Sequence, residues 1–328
     1  MENRVKKVGI LGCAKILPIS LLFPLKNIDG IKVGGIASHD KERADEYGKK
    51  YGLPFVYDNF DELIKSDSID FVYIVLSNEL HAEWALKAAQ AKKHLLIEKP
   101  LCLKATDYKE IEKKCQVNQV HLLEAIMVQH HPWQKYIIDI KNSGQYGRLK
   151  RVTTRASFIA KDNFLGNYRS SPEKGGGAFY DLGSYWMQFL QCLGQLKNAS
   201  YNGKSSFNGP NGCDWTFNAQ LIFDDGIISE FTCSFEMPYQ ACHELEFESA
   251  KITMPNFFGA NLGNRKMSLI IEDFNKESKE TVFFPPQNYY VNQLKFFANV
   301  LDGLTPNISL EQTYERILFM EEIYKLAK

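Results

Sequence analysis

The sequence predicts an α/β fold in two parts: an N-terminal Rossmann domain with a parallel sheet, and a C-terminal α+β domain with a large, open-faced, mostly antiparallel sheet. Three observations carry that expectation. In the first third of the chain, short apolar runs of strand length alternate with amphipathic helical stretches, the pattern that builds a parallel sheet covered on both faces. After Gly194 the pattern changes to a two-residue alternation in TFNAQLIF, IISEFTCSFE and HELEFESAKITM. The chain's 328 residues exceed ordinary single-domain length and suffice for two cores. A boundary after residue 122 is expected, dividing the chain into 1–122 and 123–328.

Composition excludes several classes of function. Lysine plus arginine and aspartate plus glutamate both number 39, so no global field attracts nucleic acid or an anionic membrane. No apolar run approaches the roughly 20 residues needed to span a bilayer, and the N-terminus lacks a signal-peptide pattern, so a cytoplasmic location is expected. Seven cysteines without a CxxC pair indicate neither a disulfide framework nor a thiolate metal site. No metal is expected.

Val5–Leu11 reads as a buried parallel strand, and Gly12-Cys13-Ala14-Lys15-Ile16 as a phosphate loop opening a helix. Gly12 and Ala14 match the dinucleotide fingerprint in part, with backbone amides at the helix start able to approach a pyrophosphate. Ile31–Ala37 is a second strand. It ends in Ser38-His39, with Lys41 and Arg43 close by, and not in the acidic residue that binds ribose hydroxyls in many NAD sites. Ser38, His39 and Arg43 are therefore candidates for a 2′-phosphate, and NADP is favoured with NAD as the alternative. The plain alternative for Lys41 and Arg43 is a solvated helix face balanced by Asp40, Glu42 and Asp45.

Phe55–Tyr57 and Ile69–Leu76 are third and fourth strands. The loop Ser77-Asn78-Glu79-Leu80-His81 follows at a carboxyl end that should border the cofactor, with Ser77, Asn78 and His81 as candidate contacts. His94–Ile97 is a fifth strand ending in Glu98-Lys99-Pro100, which places Glu98 and Lys99 at the same edge of the sheet. The proline restricts the backbone of Lys99. Val120–Leu123 is a sixth strand candidate, after a helix over Lys104–Gln116.

Further on, Gly175-Gly176-Gly177 precedes a helix carrying Asp181 and Tyr185, four residues apart and so on one face. An acid and a phenol so placed form a candidate catalytic pair; the plain alternative is a buried hydroxyl satisfied by the carboxylate.

The segments GILGCAKI, IASHDKERADEYGKKYG, FVYIVLSNELHAEWALKAAQAKKHLLIEKPL and GGGAFYDLGSYWMQF resemble the glucose-fructose oxidoreductase, inositol dehydrogenase and rhizopine-catabolism (Gfo/Idh/MocA) family over nearly the whole chain. The resemblance implies an NAD(P)-binding Rossmann domain over 1–122 and a substrate-binding and oligomerisation domain over 123–328. It assigns Lys99 to the catalytic site and places His130 and Arg169, with Asn163 and Tyr168, on the substrate side; the plain alternative for Arg169, Asn163 and Tyr168 is a solvent-facing loop. It also supports a homodimer or higher homo-oligomer through the open sheet, a face that would otherwise need cover.

The chain departs from the family pattern at three places. His39 stands where many NADP-using members have arginine, Tyr185 where many inositol dehydrogenases have histidine, and Gln188 where they have aspartate. The pattern DLG-x-Y-x-x-Q-F is more similar to the dimeric dihydrodiol dehydrogenases and related sugar dehydrogenases. The resemblance thus implies hydride transfer between NADP(H) and a sugar, sugar derivative or cyclic vicinal diol, with Lys99, Asp181 and Tyr185 catalytic and Lys99, Asp181, Tyr185, His130 and Arg169 contacting substrate. Free tyrosine titrates near 10, so Tyr185 needs a neighbouring cation to serve as a base at neutral pH. Two rival readings remain open at this point: a non-catalytic nucleotide-binding regulator, and an oxidoreductase that retains its cofactor and recycles it within the site.

Overall fold

A computed structural model describes residues 4–161 and 164–328. The chain forms two compact units, residues 1–125 with 290–317 and residues 126–289 with 318–328.

The first unit is built on a five-stranded parallel sheet, whose strands in chain order are β1 (Lys6–Leu11), β2 (Ile31–Ala37), β3 (Phe71–Ile74), β4 (His94–Glu98) and β5 (Leu122–Ala125). Their spatial order is β2-β1-β3-β4-β5, so the chain reverses direction across the sheet beside β1. The strands are buried on both sides, as parallel strands require. Alternate residues feed two cores: Phe71, Tyr73 and Leu96 enter one, and Val72, Ile74, Leu95 and Ile97 the other. Helices α1 (Lys41–Tyr51), α2 (Phe60–Lys65), α3 (His81–Gln90) and α4 (Ala105–Asn118) connect the strands.

Two elements differ from the sequence expectation. Phe55–Tyr57 contributes only an isolated bridge between Ile36 and Val56, so five strands form where six were expected. The helix expected to open at Gly12 is absent too. A turn leads instead to a five-residue π-helix, Pro18–Leu22, and a short 3-10 turn, Pro24–Asn27. Proline at 18 suits a first turn, but Pro24 has no N–H to donate back into a continuing helix. So short a segment covers little of the sheet. The helix α7 (Tyr289–Leu301) fills the remainder, with Leu294 and Phe297 in the same core as Val8, Ile10 and Leu21, and Phe297 edge-on to Phe71 at 5.4 Å. That packing brings residues 290–317 back to the first unit.

The second unit contains α5 (Pro132–Ser143), β6 (Leu149–Ser157), α6 (Ala178–Leu193), β7 (Ser200–Ser205), β8 (Thr216–Ile222), β9 (Ile228–Ser234), β10 (Gln240–Phe247), β11 (Ala250–Met254), β12 (Met267–Asp273) and β13 (Ser278–Phe284). The eight strands run β13-β12-β11-β10-β6-β9-β8-β7, antiparallel except for the β6–β9 pair. A final helix, α8 (Leu310–Leu326), belongs to the first unit through Ile317 and to the second from Leu318.

One face of the large sheet is packed by α5 and α6, where Trp186 lies flat on Phe231 at 4.9 Å and donates to the Ser229 hydroxyl at 2.8 Å. The opposite face carries ion pairs, Arg151–Glu230 at 2.9 Å, Lys251–Glu244 at 3.2 Å and Lys279–Glu272 at 2.8 Å, together with the exposed apolar side chains of Ile222 and Phe283. Among the described residues no helix is long and apolar enough to cross a membrane. All seven cysteines carry free thiols.

Burial of histidine sets an acid limit on this fold. Burial pushes His243 and His130 down to about 3, and His94 and His131 to about 4. Unfolded imidazoles take up protons as pH falls through about 6.5, whereas the folded ones refuse them, so stability falls on acidification. Asp214 opposes this, since burial raises it to about 7 and its stabilising proton is lost as pH rises through that value. Four imidazoles outweigh one carboxyl. We expect the urea midpoint, followed by tryptophan fluorescence, to be lower at pH 5.5 than at pH 7.5 by an amount equivalent to about 2–3 kcal/mol; an equal or higher midpoint at the acid pH would contradict this reading.

Candidate active site

In the first unit the candidate residues gather at the carboxyl ends of the strands. Gly12 has φ +110°, and a Cβ there would stand 2.7 Å from the Val75 carbonyl oxygen, so only glycine lets the loop pass so close to β3. Arg43 donates from Nη2 to the Cys13 carbonyl at 2.8 Å, and the Tyr47 hydroxyl to that of Ala14 at 3.1 Å. Both side chains thereby brace the loop from α1. Lys15 and Ile16 are exposed on it. Beside the loop lies a groove of ≈ 380 Å³ lined by Cys13, Lys15, Arg43, Glu46, Tyr47, Lys50 and Tyr51. Three cations against one carboxylate, flanked by two phenol rings, suit a phosphorylated nucleoside.

Ser38 is buried at the end of β2, where its Oγ accepts the Asp40 N–H at 3.2 Å, while His39 is exposed. Lys41 is engaged elsewhere, on Asp45 at 2.8 Å and Asp58 at 3.5 Å, as the solvated-face reading anticipated. The Ser77 hydroxyl donates to Glu79 at 2.8 Å, and Asn78 is buried beside it. His81 is wholly buried, its ring nitrogens against the Pro100 carbonyl at 2.8 Å and the Leu76 carbonyl at 3.2 Å. Burial lowers its proton affinity despite those two acceptors. The structure thus gives it a bracing position between two loops.

The Glu98-Lys99-Pro100-Leu101 segment is fixed at three of its four residues. Tyr73 donates its hydroxyl to Glu98, His81 meets the Pro100 carbonyl, and the Leu101 N–H donates to Glu124 at 3.0 Å. The Lys99–Pro100 peptide is cis. The half-buried Lys99 is presented from a stiff support at the strand end.

In the second unit, Asp181 and Tyr185 lie one turn apart on α6, both 6% exposed. Asp181 does more than face Tyr185. Its carboxylate accepts a two-bond fork from Arg169, Nε to Oδ2 at 2.9 Å and Nη2 to Oδ1 at 3.1 Å. Burial opposes the guanidinium charge, but Asp181 more than offsets this, and Arg169 holds its proton more tightly than usual. Tyr185 contributes to the same electrostatic group. The sequence reading set Arg169 and Asp181 side by side as substrate contacts without pairing them; the structure joins them as an ion pair.

The start of α6 is held by a residue that sequence reasoning missed. Asp214, wholly buried, accepts the Phe179 N–H on Oδ2 at 2.7 Å and the Tyr324 hydroxyl on Oδ1 at 3.1 Å, while its backbone carbonyl accepts the Ala178 N–H at 2.8 Å. It caps the helix from 35 positions away, so no local capping motif could have revealed it. Glu124, by contrast, left a signal: a carboxylate inside the apolar run LLEAIM requires a buried partner. His130 closes the 3-10 turn Met127–His130 and is half-buried. Asn163 lies outside the described residues.

The parallel sheet with its glycine turn after β1, and the acid–arginine–phenol group of the second unit, fit the class of nucleotide-binding oxidoreductases. Residues 6–125 match the family model described as oxidoreductase family, NAD-binding Rossmann fold, and residues 135–253 the GFO/IDH/MocA C-terminal domain. The chain belongs to the Gfo/Idh/MocA oxidoreductase family. Among curated relatives, it is 26% identical to D-xylose 1-dehydrogenase (NADP(+)) 2 of Haloferax volcanii, covering 98% of this chain and 97% of that one. It is 28% identical to mouse trans-1,2-dihydrobenzene-1,2-diol dehydrogenase over 62% of this chain and 60% of the relative. A 3-ketoreductase from Actinomadura kijaniata, solved with NADP and TDP-benzene, shares the fold with a TM-score of 0.89 at 24% identity, covering 98% of both chains.

Proposed function

We propose that this protein is an NADP(H)-dependent oxidoreductase that transfers hydride between nicotinamide and a CH–OH carbon of a sugar, sugar derivative or cyclic vicinal diol. The observation that carries the reading is the fixed Glu98–Leu101 segment, which holds the backbone of Lys99 at the ligand-binding edge of the sheet. The names of the xylose and dihydrodiol dehydrogenases support the substrate class, and the basic groove beside Gly12 supports NADP.

When bound, the cofactor supplies the hydride acceptor or donor. In oxidation Tyr185 takes the hydroxyl proton, and in reduction it returns one. Arg169 favours the charged phenolate, supplying the cation that a tyrosine base needs at neutral pH. Lys99 donates a hydrogen bond to the reacting oxygen, and Asp181 keeps Arg169 in place. His130 is assigned to the substrate. Ser38, His39, Arg43 and Lys15 are assigned to the adenosine phosphate end, Gly12, Ala14 and Ile16 to the pyrophosphate, and Ser77, Asn78 and Glu98 to the ribose side, with His81 supporting them. Self-association through the ion-paired sheet face belongs to the same proposal, in a cytoplasmic enzyme; a contact of that polarity should weaken as salt is raised in sedimentation experiments.

The deciding experiment is a steady-state screen with NADP, NADPH, NAD and NADH against oxidised and reduced sugars and cyclic diols, with product identification. Turnover with NADP(H) and a polyhydroxylated substrate is expected. Cofactor binding without turnover of any panel member would overturn the catalytic reading in favour of a nucleotide-binding regulator.

A further inference from the structure

Within the first unit, one carboxylate ties the Lys99 loop to a helix almost two hundred residues away. Glu124 lies in β5 with its side chain 2% exposed. Its Oε1 accepts the Leu101 N–H at 3.0 Å, and its Oε2 accepts Arg316 Nε at 2.8 Å and Nη2 at 2.6 Å. The Arg316 side chain, from α8, is 3% exposed and also reaches Thr313 Oγ1 at 3.4 Å. The start of that helix is anchored in turn by the Tyr108 hydroxyl, which donates to the Leu310 carbonyl at 2.7 Å.

A buried ion pair is a poor device for stability alone, because well-packed apolar residues commonly do as well or better. What apolar residues cannot provide is an acceptor for the Leu101 N–H. Leu101 follows Pro100, so a shift of its amide is carried directly into the Lys99 backbone. The arginine, gripping Oε2 with two donors, stops the carboxylate from rotating away from that amide.

We infer that Glu124 and Arg316 are positioning residues that set the direction in which Lys99 is presented. The inference rests on the reading of Lys99 as a functional lysine. It makes the first turns of α8 part of the support of the reaction site, a role that lies outside the strand-end loops.

The test compares Glu124→Asp, Arg316→Lys and Lys99→Met by kcat, cofactor KM and thermal midpoint. Glu124→Asp keeps both charges but withdraws the carboxylate by one methylene, and Arg316→Lys keeps the charge but loses the fork. Each is expected to lower kcat about 10–100-fold with cofactor KM little changed, the scale produced by a displacement of about 1 Å at a reacting group. Fully folded Glu124→Asp and Arg316→Lys proteins with wild-type kcat would overturn the inference, as would losses of activity no greater than the loss of folded protein. Lys99→Met separates the two ideas: wild-type turnover in that variant removes the reading of Lys99 itself, whereas its inactivity beside fully active Glu124 and Arg316 variants removes the positioning role alone.

Discussion

Replacing Tyr185 by phenylalanine is expected to lower kcat by about 10²–10⁴-fold while leaving cofactor affinity unchanged. The substitution isolates one atom. The Tyr185 ring packs edge-on against Phe258 at 4.8 Å and near Phe257 at 6.3 Å, contacts that phenylalanine retains, so the hydroxyl is the only group removed. A companion variant tests the charge logic. Arg169→Gln removes the cation from the group around Tyr185 and leaves Asp181 as an uncompensated anion, and both changes disfavour the phenolate. The basic group governing kcat/KM for oxidation should therefore titrate at higher pH in that variant. A Tyr185→Phe enzyme that turns over at the wild-type rate would move the proton-transfer role to Lys99.

The largest stability effect is expected from Gly177→Ala, at about 3–5 kcal/mol. Gly177 has φ +103°, and a Cβ there would stand 1.8 Å from Asp214 Oδ1. The carboxylate cannot swing aside without releasing the Phe179 N–H and the Tyr324 hydroxyl, all in a buried setting. The Gly177 N–H also donates to the Arg169 carbonyl at 2.8 Å, so any shift of this residue displaces both the start of α6 and the arginine that grips Asp181. Activity should fall along with the melting temperature. A variant with the wild-type thermal midpoint would show that this junction is slack.

Much of this was legible in the sequence. The apolar runs at β1, β2 and β4 specified buried parallel strands, and the alternation after Gly194 specified the second sheet. Spacing by four put Asp181 and Tyr185 on one helix face, and Pro100 marked Lys99 as backbone-restrained. The third strand failed because Phe55–Tyr57 has strand composition without a partner strand to complete a ladder beyond the single bridge at Val56. The helix expected at Gly12 failed because Pro24 cut short the segment that follows.

These successes share a cause. Periodicity, capping and proline restriction are properties of neighbouring residues, so the sequence by itself determined the two-part α/β class and most elements, and it singled out Lys99, Asp181 and Tyr185 as candidates. Partnership is a property of distance in space. Only the tertiary structure decided that Asp181 grips Arg169, that Asp214 caps α6, that Glu124 joins Leu101 to Arg316, and that α7 returns to cover the first sheet. Each of these contacts satisfies a buried charge, amide or apolar face with a group remote in the chain, and burial makes such satisfaction obligatory without specifying in the local sequence where the partner lies.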